Sequence, residues 1–199
     1  KSFAVSTYKP LSRSYYKFIE LYYKFHIKEC LGESIKTFHI AEGPGGFMEA
    51  ILHLRNNKTD EYYGMTLIDG KNSPGWRQNN ILTRNTNIIL DNGEDDTGNI
   101  LHPCNYEYCY KKYKGTMDLV TADGGFDFSK DYNAQENNSC KLIFAEVIYA
   151  LILQKEGGIF ILKLFSFQLI HHQKYKKELY SFSANILCPK HQQFSRVSY

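Results

Sequence analysis

Two apolar runs constrain this chain more than anything else in its sequence. Residues 117–127 read Met-Asp-Leu-Val-Thr-Ala-Asp-Gly-Gly-Phe-Asp, and residues 157–165 read Gly-Gly-Ile-Phe-Ile-Leu-Lys-Leu-Phe. Near-continuous apolar runs of this length suit strands that are covered on both faces. Each run also carries one charge for which a purely structural strand has no use: Asp123, at the carboxyl end of the first, and Lys163, within the second. A buried charge is costly unless it is paired. In an open α/β sheet, ligands bind beyond the carboxyl ends of the strands. A carboxylate and an amine placed there point to acid–base chemistry.

The rest of the pattern agrees with such a sheet. Tyr16, Ile19, Tyr23 and Ile27 fall at helical spacing and predict a helix over 12–29. A strand is predicted over 37–42, then a Gly-Pro-Gly-Gly turn, then a helix over 47–54. Strands follow at 62–68 and 87–90, with polar, glycine-bearing loops at 69–80 and 91–99. A helix is expected over 101–114 and a strand over 119–122. A strongly apolar helix over 141–154 should stop at Gly157-Gly158, ahead of a strand over 159–164. An amphipathic helix over 168–183 and a strand over 184–188 complete the reading. Strands alternating with helices argue for an α/β fold, a mainly parallel sheet with helices on both faces.

The chain of 199 residues suits one domain with a sizeable core. It begins with Lys rather than Met, which suggests a segment, 1–199, of a longer protein. The net charge of +3 is too small to imply a nucleic-acid partner by itself. Lysines do cluster, at Lys17, Lys24 and Lys28, at Lys111, Lys112 and Lys114, and at Lys174, Lys176 and Lys177. Each cluster reads either as a phosphate-tracking patch or as a solvated helix face. Five scattered cysteines (30, 104, 109, 140 and 188) complete no zinc spacing, so reduced thiols in an intracellular protein without a structural metal are expected. No signal peptide and no membrane-spanning stretch is evident. The richness in Lys, Asn, Ile and Tyr suits an AT-rich genome, such as that of a large cytoplasmic DNA virus.

The turn reads Ala41-Glu42-Gly43-Pro44-Gly45-Gly46-Phe47. Residues without a Cβ let backbone approach a ligand closely, and the helix that follows offers free N–H groups at a positive dipole end. A dinucleotide fingerprint would place its third glycine where Met48 stands, which argues against NAD. Glu42, closing the strand, suits a ligand that is cationic or rich in hydroxyls. S-adenosylmethionine carries both an ammonium group and a ribose.

These segments, taken in order, resemble the FtsJ-like (RrmJ-type) RNA ribose 2′-O-methyltransferases, nearest to the cap-specific branch acting on messenger RNA. Ser12-Arg13-Ser14-Tyr15-Tyr16-Lys17 resembles the motif that supplies a first catalytic lysine. Glu42 to Phe47 with Glu49 resembles the cofactor loop, and Gly64-Met65-Thr66-Leu67 the second strand. Asp96-Thr97-Gly98-Asn99-Ile100 is similar to a cofactor-facing loop, with Asn99 where Asp is more usual. Asp118 to Phe126 resembles the strand bearing the catalytic Asp, and Gln135-Glu136 the polar step before the next helix. Residues 157–165 resemble the strand of the second lysine, and Pro189-Lys190 with Ser195-Arg196 the substrate-side motif.

The resemblance implies a Rossmann-like S-adenosylmethionine-dependent fold with Lys17, Asp123 and Lys163 as catalytic groups. The cofactor set it suggests is Glu42, Gly43, Pro44, Gly45, Gly46, Phe47 and Asp123, with Asp69 as a ribose partner and Asp91 and Asn99 toward the adenine. Arg13, Lys190 and Arg196 would join Lys17 and Lys163 in gripping RNA. The family's fourth catalytic residue, a glutamate a few positions past Ser-Arg, would fall beyond Tyr199. A ribosomal RNA substrate, or a catalytically inactive RNA-binding module, are the alternatives. His171 and His172 are adjacent and so point to different helix faces, which makes a metal site there unexpected.

Overall fold

The computed structural model describes residues 8–70, 75–76, 85–125, 132–167, 180–188 and 193–198, with side chains left undescribed at 132–138, 165–167, 180–188 and 193–198. Helix α1 runs over Ser14–Lys24 and a short α2 over Ile27–Cys30. Strand β1 (Lys36–Ile40) leads through the glycine turn into α3 (Gly46–Arg55). Strands β2 (Glu61–Met65) and β3 (Ile88–Leu90) follow, then α4 (Pro103–Tyr113) and β4 (Met117–Ala122). Helix α5 (Tyr132–Leu153), β5 (Gln154–Phe167), β6 (Tyr180–Cys188) and β7 (Gln193–Ser198) complete the order.

Among the described residues the strands form one sheet in the order β3-β2-β1-β4-β5-β6-β7. The first five are parallel; β6 and β7 add antiparallel to the edge of β5. Strand side chains alternate between two cores, as a pleat requires. Leu119, Ile159 and Ile161 join Phe18, Leu21, Phe47 and Ile51 beneath α1 and α3. Val120, Ala122, Phe160 and Leu162 join Cys109, Tyr113, Tyr149 and Leu153 beneath α4 and α5. Helices therefore cover both faces, as the unbroken apolar runs required.

Several elements depart from the sequence reading, among them β7 (Gln193–Ser198), where that reading has no strand. The helix expected over 12–29 is broken at His26, whose φ of 50° is left-handed, so α1 and α2 are separate. Helix α5 begins at Tyr132 instead of Lys141. Residues 180–183 are strand, not the end of a helix. The reason is visible in Tyr-Ser-Phe-Ser, which alternates apolar and polar at the strand period, beside the end of β5: Leu164 pairs with Ser183 and Phe167 with Tyr180. The remainder of that expected helix, with His171, His172 and Lys174, lies outside the described residues.

At the amino ends of β1 and β2, Asp60 is wholly buried. Arg55 Nε and Nη2 donate to its two oxygens at 2.5 and 3.0 Å. Tyr62 and the N–H of Ile35 donate at 3.0 Å each. Charge-assisted, bidentate bonds are among the strong ones. This clasp ties α3 to the sheet at the end opposite the glycine turn.

Candidate active site

The β4–β5 register places the two misplaced charges side by side. Thr121 pairs with Ile161 and Ala122 with Leu162, so the next step brings Asp123 next to Lys163. Their side chains form an ion pair, each about one-tenth exposed, and Lys163 Nζ also donates to the Asp123 carbonyl oxygen at 3.3 Å. Both share the parity of Leu119 and Ile161, the face that α1 covers. There Lys17, half-buried in α1, adds a second cation.

Burial first, then the charge of Lys17, push the Lys163 amine down to about 7, against the pull of Glu42 and the carboxylate it touches. Lys17 is itself lowered, by burial and by Arg13, with Glu20 opposing. A base is most useful when its pKa lies near the working pH. This is the first thing the arrangement can do chemically: hold an amine in a form able to accept a proton.

The glycine turn lies beside this group at the end of β1. Gly45, at the N-cap of α3, has a φ of 108°, which excludes most side chains. Gly46 lets α1 settle on the turn, since a Cβ there would strike the Ser12 and Ser14 hydroxyls and come within 3.0 Å of the Tyr15 nitrogen. The Gly43 N–H donates to Thr66 Oγ1 at 3.1 Å, and Pro44 follows through a cis bond. The loops after β2 and β3 meet here: the Ile68 N–H donates to the Thr97 carbonyl at 2.8 Å. They carry Asp69, which is exposed, and Asn99, which is half-buried.

Four residues expected to serve the cofactor have side chains engaged within the protein, among them Asn99, whose Oδ1 accepts the Leu101 N–H at 3.0 Å and whose Nδ2 lies 3.0 Å from His102 Nε2. Glu42 is 3% exposed. Its Oε2 lies 3.0 Å from His39 Nδ1, and its Oε1 accepts from the Thr121 hydroxyl. The Phe47 ring is wholly buried, 5.3 Å from that of Phe18. Asp91 accepts from the Gly93 N–H (2.9 Å), Lys112 (3.0 Å), Tyr108 (3.1 Å) and Tyr113 (2.5 Å), which turns it toward α4. What residues 42 and 47 can offer a ligand is backbone. The first-turn N–H groups of α3 have no intrahelical acceptor; with the carboxylates of Asp69 and Asp123, they form a donor and acceptor set suited to an amino acid and a nucleoside.

Arg13 is exposed at the N-cap position of α1. Lys190 lies outside the described residues, and Arg196 is placed by its backbone alone, opposite Asn185. The sequence reading passed over Glu146, His39 and Thr121. His39 is wholly buried, linking Thr37 at 3.0 Å to Glu42 and Thr121. Glu146 carried a readable signal: it is the lone charge in the apolar stretch 142–153, the same anomaly that marked Asp123 and Lys163. Among the described residues, no His, Cys, Asp and Glu cluster is placed to hold a metal ion, and no helix is long and apolar enough to cross a membrane.

Comparison with known proteins gives this geometry a context. The family model described as FtsJ-like methyltransferase matches residues 10–193. The chain is similar to the cap-specific mRNA (nucleoside-2′-O-)-methyltransferase 2 of Drosophila melanogaster, 30% identical over 148 residues, covering 67% of this chain and 21% of the relative. It is also similar to the cap-specific mRNA (nucleoside-2′-O-)-methyltransferase 1 of Leishmania braziliensis, 34% identical over 132 residues, covering 63% of this chain and 32% of the relative. The chain thus spans a third or less of the length of these two relatives. Among solved structures, a Plasmodium falciparum protein designated a ribosomal RNA methyltransferase superposes with a TM-score of 0.53 at 20% identity, covering 79% of this chain and 80% of that one. At that identity the likeness shows the fold.

Proposed function

The chain belongs to the FtsJ-like methyltransferase family, and we propose that it transfers a methyl group from S-adenosylmethionine to a ribose 2′-hydroxyl of RNA, at a cap-proximal nucleotide of messenger RNA. The observation that carries the proposal is the buried Asp123–Lys163 pair, with Lys17 beside it, where β4 ends against the neighbouring parallel strand β5.

A sugar hydroxyl is a weak nucleophile until its proton is withdrawn. In the proposed reaction the neutral Lys163 amine would accept the 2′-hydroxyl proton as the oxygen bonds to the methyl carbon and the methyl–sulfur bond breaks, its electron pair leaving with a neutral thioether. Lys17 has two effects: its charge keeps Lys163 from holding a proton, and it steadies the negative charge growing on the ribose oxygen. Asp123 fixes the direction of the Lys163 amine. The cofactor would be held by the backbone of Gly43, Pro44, Gly45 and Gly46 with Asp69 and Asp123; it supplies a methyl group already activated by its sulfonium. Orientation then accounts for much of the rate.

The RNA end of the reading rests on Arg13, Lys17 and Lys163, joined by Lys190 and Arg196 at the family's substrate-side motif. Cap-proximal messenger RNA is favoured over ribosomal RNA because the curated relatives that match at 30–34% identity carry cap-specific names. The four cysteines whose side chains are described are free thiols, which supports action in a reducing, intracellular compartment.

The test is transfer from methyl-labelled S-adenosylmethionine onto a short RNA, capped and uncapped, followed by nuclease mapping of the labelled nucleotide. Label at the cap-proximal ribose of the capped RNA supports the proposal. Preference for uncapped RNA would move it to the ribosomal class, and saturable RNA binding without transfer would identify an inactive binding module.

A further inference from the structure

Glu146 sits in the apolar middle of α5, 1% exposed. Its Oε1 accepts the Gly124 N–H at 2.9 Å. Gly124 is the residue after Asp123, and it leaves room for this contact: a Cβ at 124 would run into Glu146 Oε1 and come within 2.8 Å of Leu142 Cδ2. Glu146 Oε2 is buried without a hydrogen-bond partner among the described residues. A carboxyl group this deep is an expensive residue to keep in a helix whose neighbouring positions are apolar.

We propose that Glu146 is a positioning residue for methyl transfer, its carboxyl holding the Asp123–Gly124 peptide and so setting how the Asp123 carboxylate meets Lys163. The inference rests on the reading that Asp123 and Lys163 carry the reaction. The groups facing Glu146 are the Glu42 carboxylate from the end of β1 and the Gly124 N–H from the end of β4, with Asp123 and its partner Lys163 one step beyond. Burial first, then the Glu42 charge, push the Glu146 carboxyl up to about 8, against the Gly124 hydrogen bond. Burial thus favours the uncharged acid at neutral pH. Were Glu146 ionised, a further buried negative charge would join Asp123 and Glu42 near Lys163 and favour its protonated, inactive form.

The experiment compares Glu146→Gln and Glu146→Ala with the wild-type chain, using Lys163→Ala as the reference for the reading itself. Glu146→Gln keeps the acceptor and cannot ionise. It should keep wild-type kcat at pH 7 and lose the decline in kcat that wild type shows above about pH 8. Glu146→Ala should lower kcat by about 10- to 100-fold, with KM for both substrates unchanged. Wild-type kcat in Glu146→Ala, or an alkaline decline in Glu146→Gln like that of wild type, would overturn the inference. Unfolding reads the same acid without activity. Wild type loses stability relative to Glu146→Gln as pH rises between about 4.5 and 8, so the gap in melting temperature should widen over that range and then level. A gap independent of pH would contradict the neutral acid. Absence of transfer by wild type, or full transfer by Lys163→Ala, would sink the underlying reading instead, with the unfolding comparison still deciding the state of Glu146.

Discussion

Lys163 and Asp123 stand one step past the last paired rung of β4 and β5, joined by an ion pair and by a 3.3 Å bond from the lysine ammonium to the Asp123 carbonyl oxygen. The pair lies on the sheet face that α1 covers, and α1 brings Lys17 to it. If this arrangement runs the chemistry, removing either member of the pair should cost rate, and removing Lys163 should spare the cofactor. Lys163→Ala and Asp123→Asn are each expected to lower kcat by about 10²- to 10⁴-fold, the usual range for a general base. Calorimetric titration with S-adenosylmethionine should give an affinity close to wild type for Lys163→Ala. Wild-type turnover in either variant would remove the pair from the mechanism.

The pH profile follows from the lowered amine. The competent, neutral form of Lys163 grows as pH rises through about 7, so kcat should climb with unit slope below that pH, level just above it, and fall again above about 8 as Glu146 ionises. Lys17 is one cause of the lowering. Replacing it with Met removes a nearby cation, which favours the protonated form of Lys163 and raises its pKa. The acid limb of Lys17→Met should therefore move to higher pH. An acid limb that stays in place would show that Lys17 does not tune Lys163.

Glu49 ties the amino-terminal segment to the site. It is 1% exposed in the first turn of α3, and it accepts from the Tyr8 hydroxyl at 2.6 Å and the Leu11 N–H at 2.7 Å. Those residues lead directly into α1, with Arg13 and Lys17. Glu49→Ala should lose about 1.5–3 kcal/mol per broken charge-assisted bond at most, measured by urea unfolding, and should raise KM for RNA more than KM for the cofactor. Equal effects on the two KM values would contradict a tether specific to α1.

The Arg55–Asp60 clasp makes the opposite demand. It lies at the amino ends of the strands, away from the chemistry, with side chains 9% and 0% exposed. Arg55→Ala leaves a buried carboxylate without its charge partner, which costs about 3–5 kcal/mol. Urea unfolding should show that loss, and kcat measured on the remaining folded protein at low temperature should be unchanged.

Much of this was legible in the sequence because each strand announces itself locally. Unbroken apolar runs meant two covered faces, and Asp123 and Lys163 stood out against them. Gly45 and Gly46 were readable as a turn for the same reason, since their backbone and packing exclude a Cβ. The residues that misled did so through tertiary contacts no pattern records. Asp91 closes a strand as a ligand-binding acid would, yet Tyr108, Lys112 and Tyr113 reach it from 17 to 22 positions away. Glu42 looks equally open until His39 and Thr121 are seen beneath it. Residues 180–183 satisfy a helical spacing and a strand alternation at once, and pairing with β5 decides between them.

The central claim is that the ribose 2′-oxygen is the methyl acceptor. The most direct measurement is transfer from labelled S-adenosylmethionine to a capped short RNA, beside the same RNA carrying a 2′-deoxy sugar at the cap-proximal nucleotide. The arrangement of Lys17, Asp123 and Lys163 predicts label in the first RNA and none in the second. Equal label in both would place the methyl group elsewhere and contradict the account.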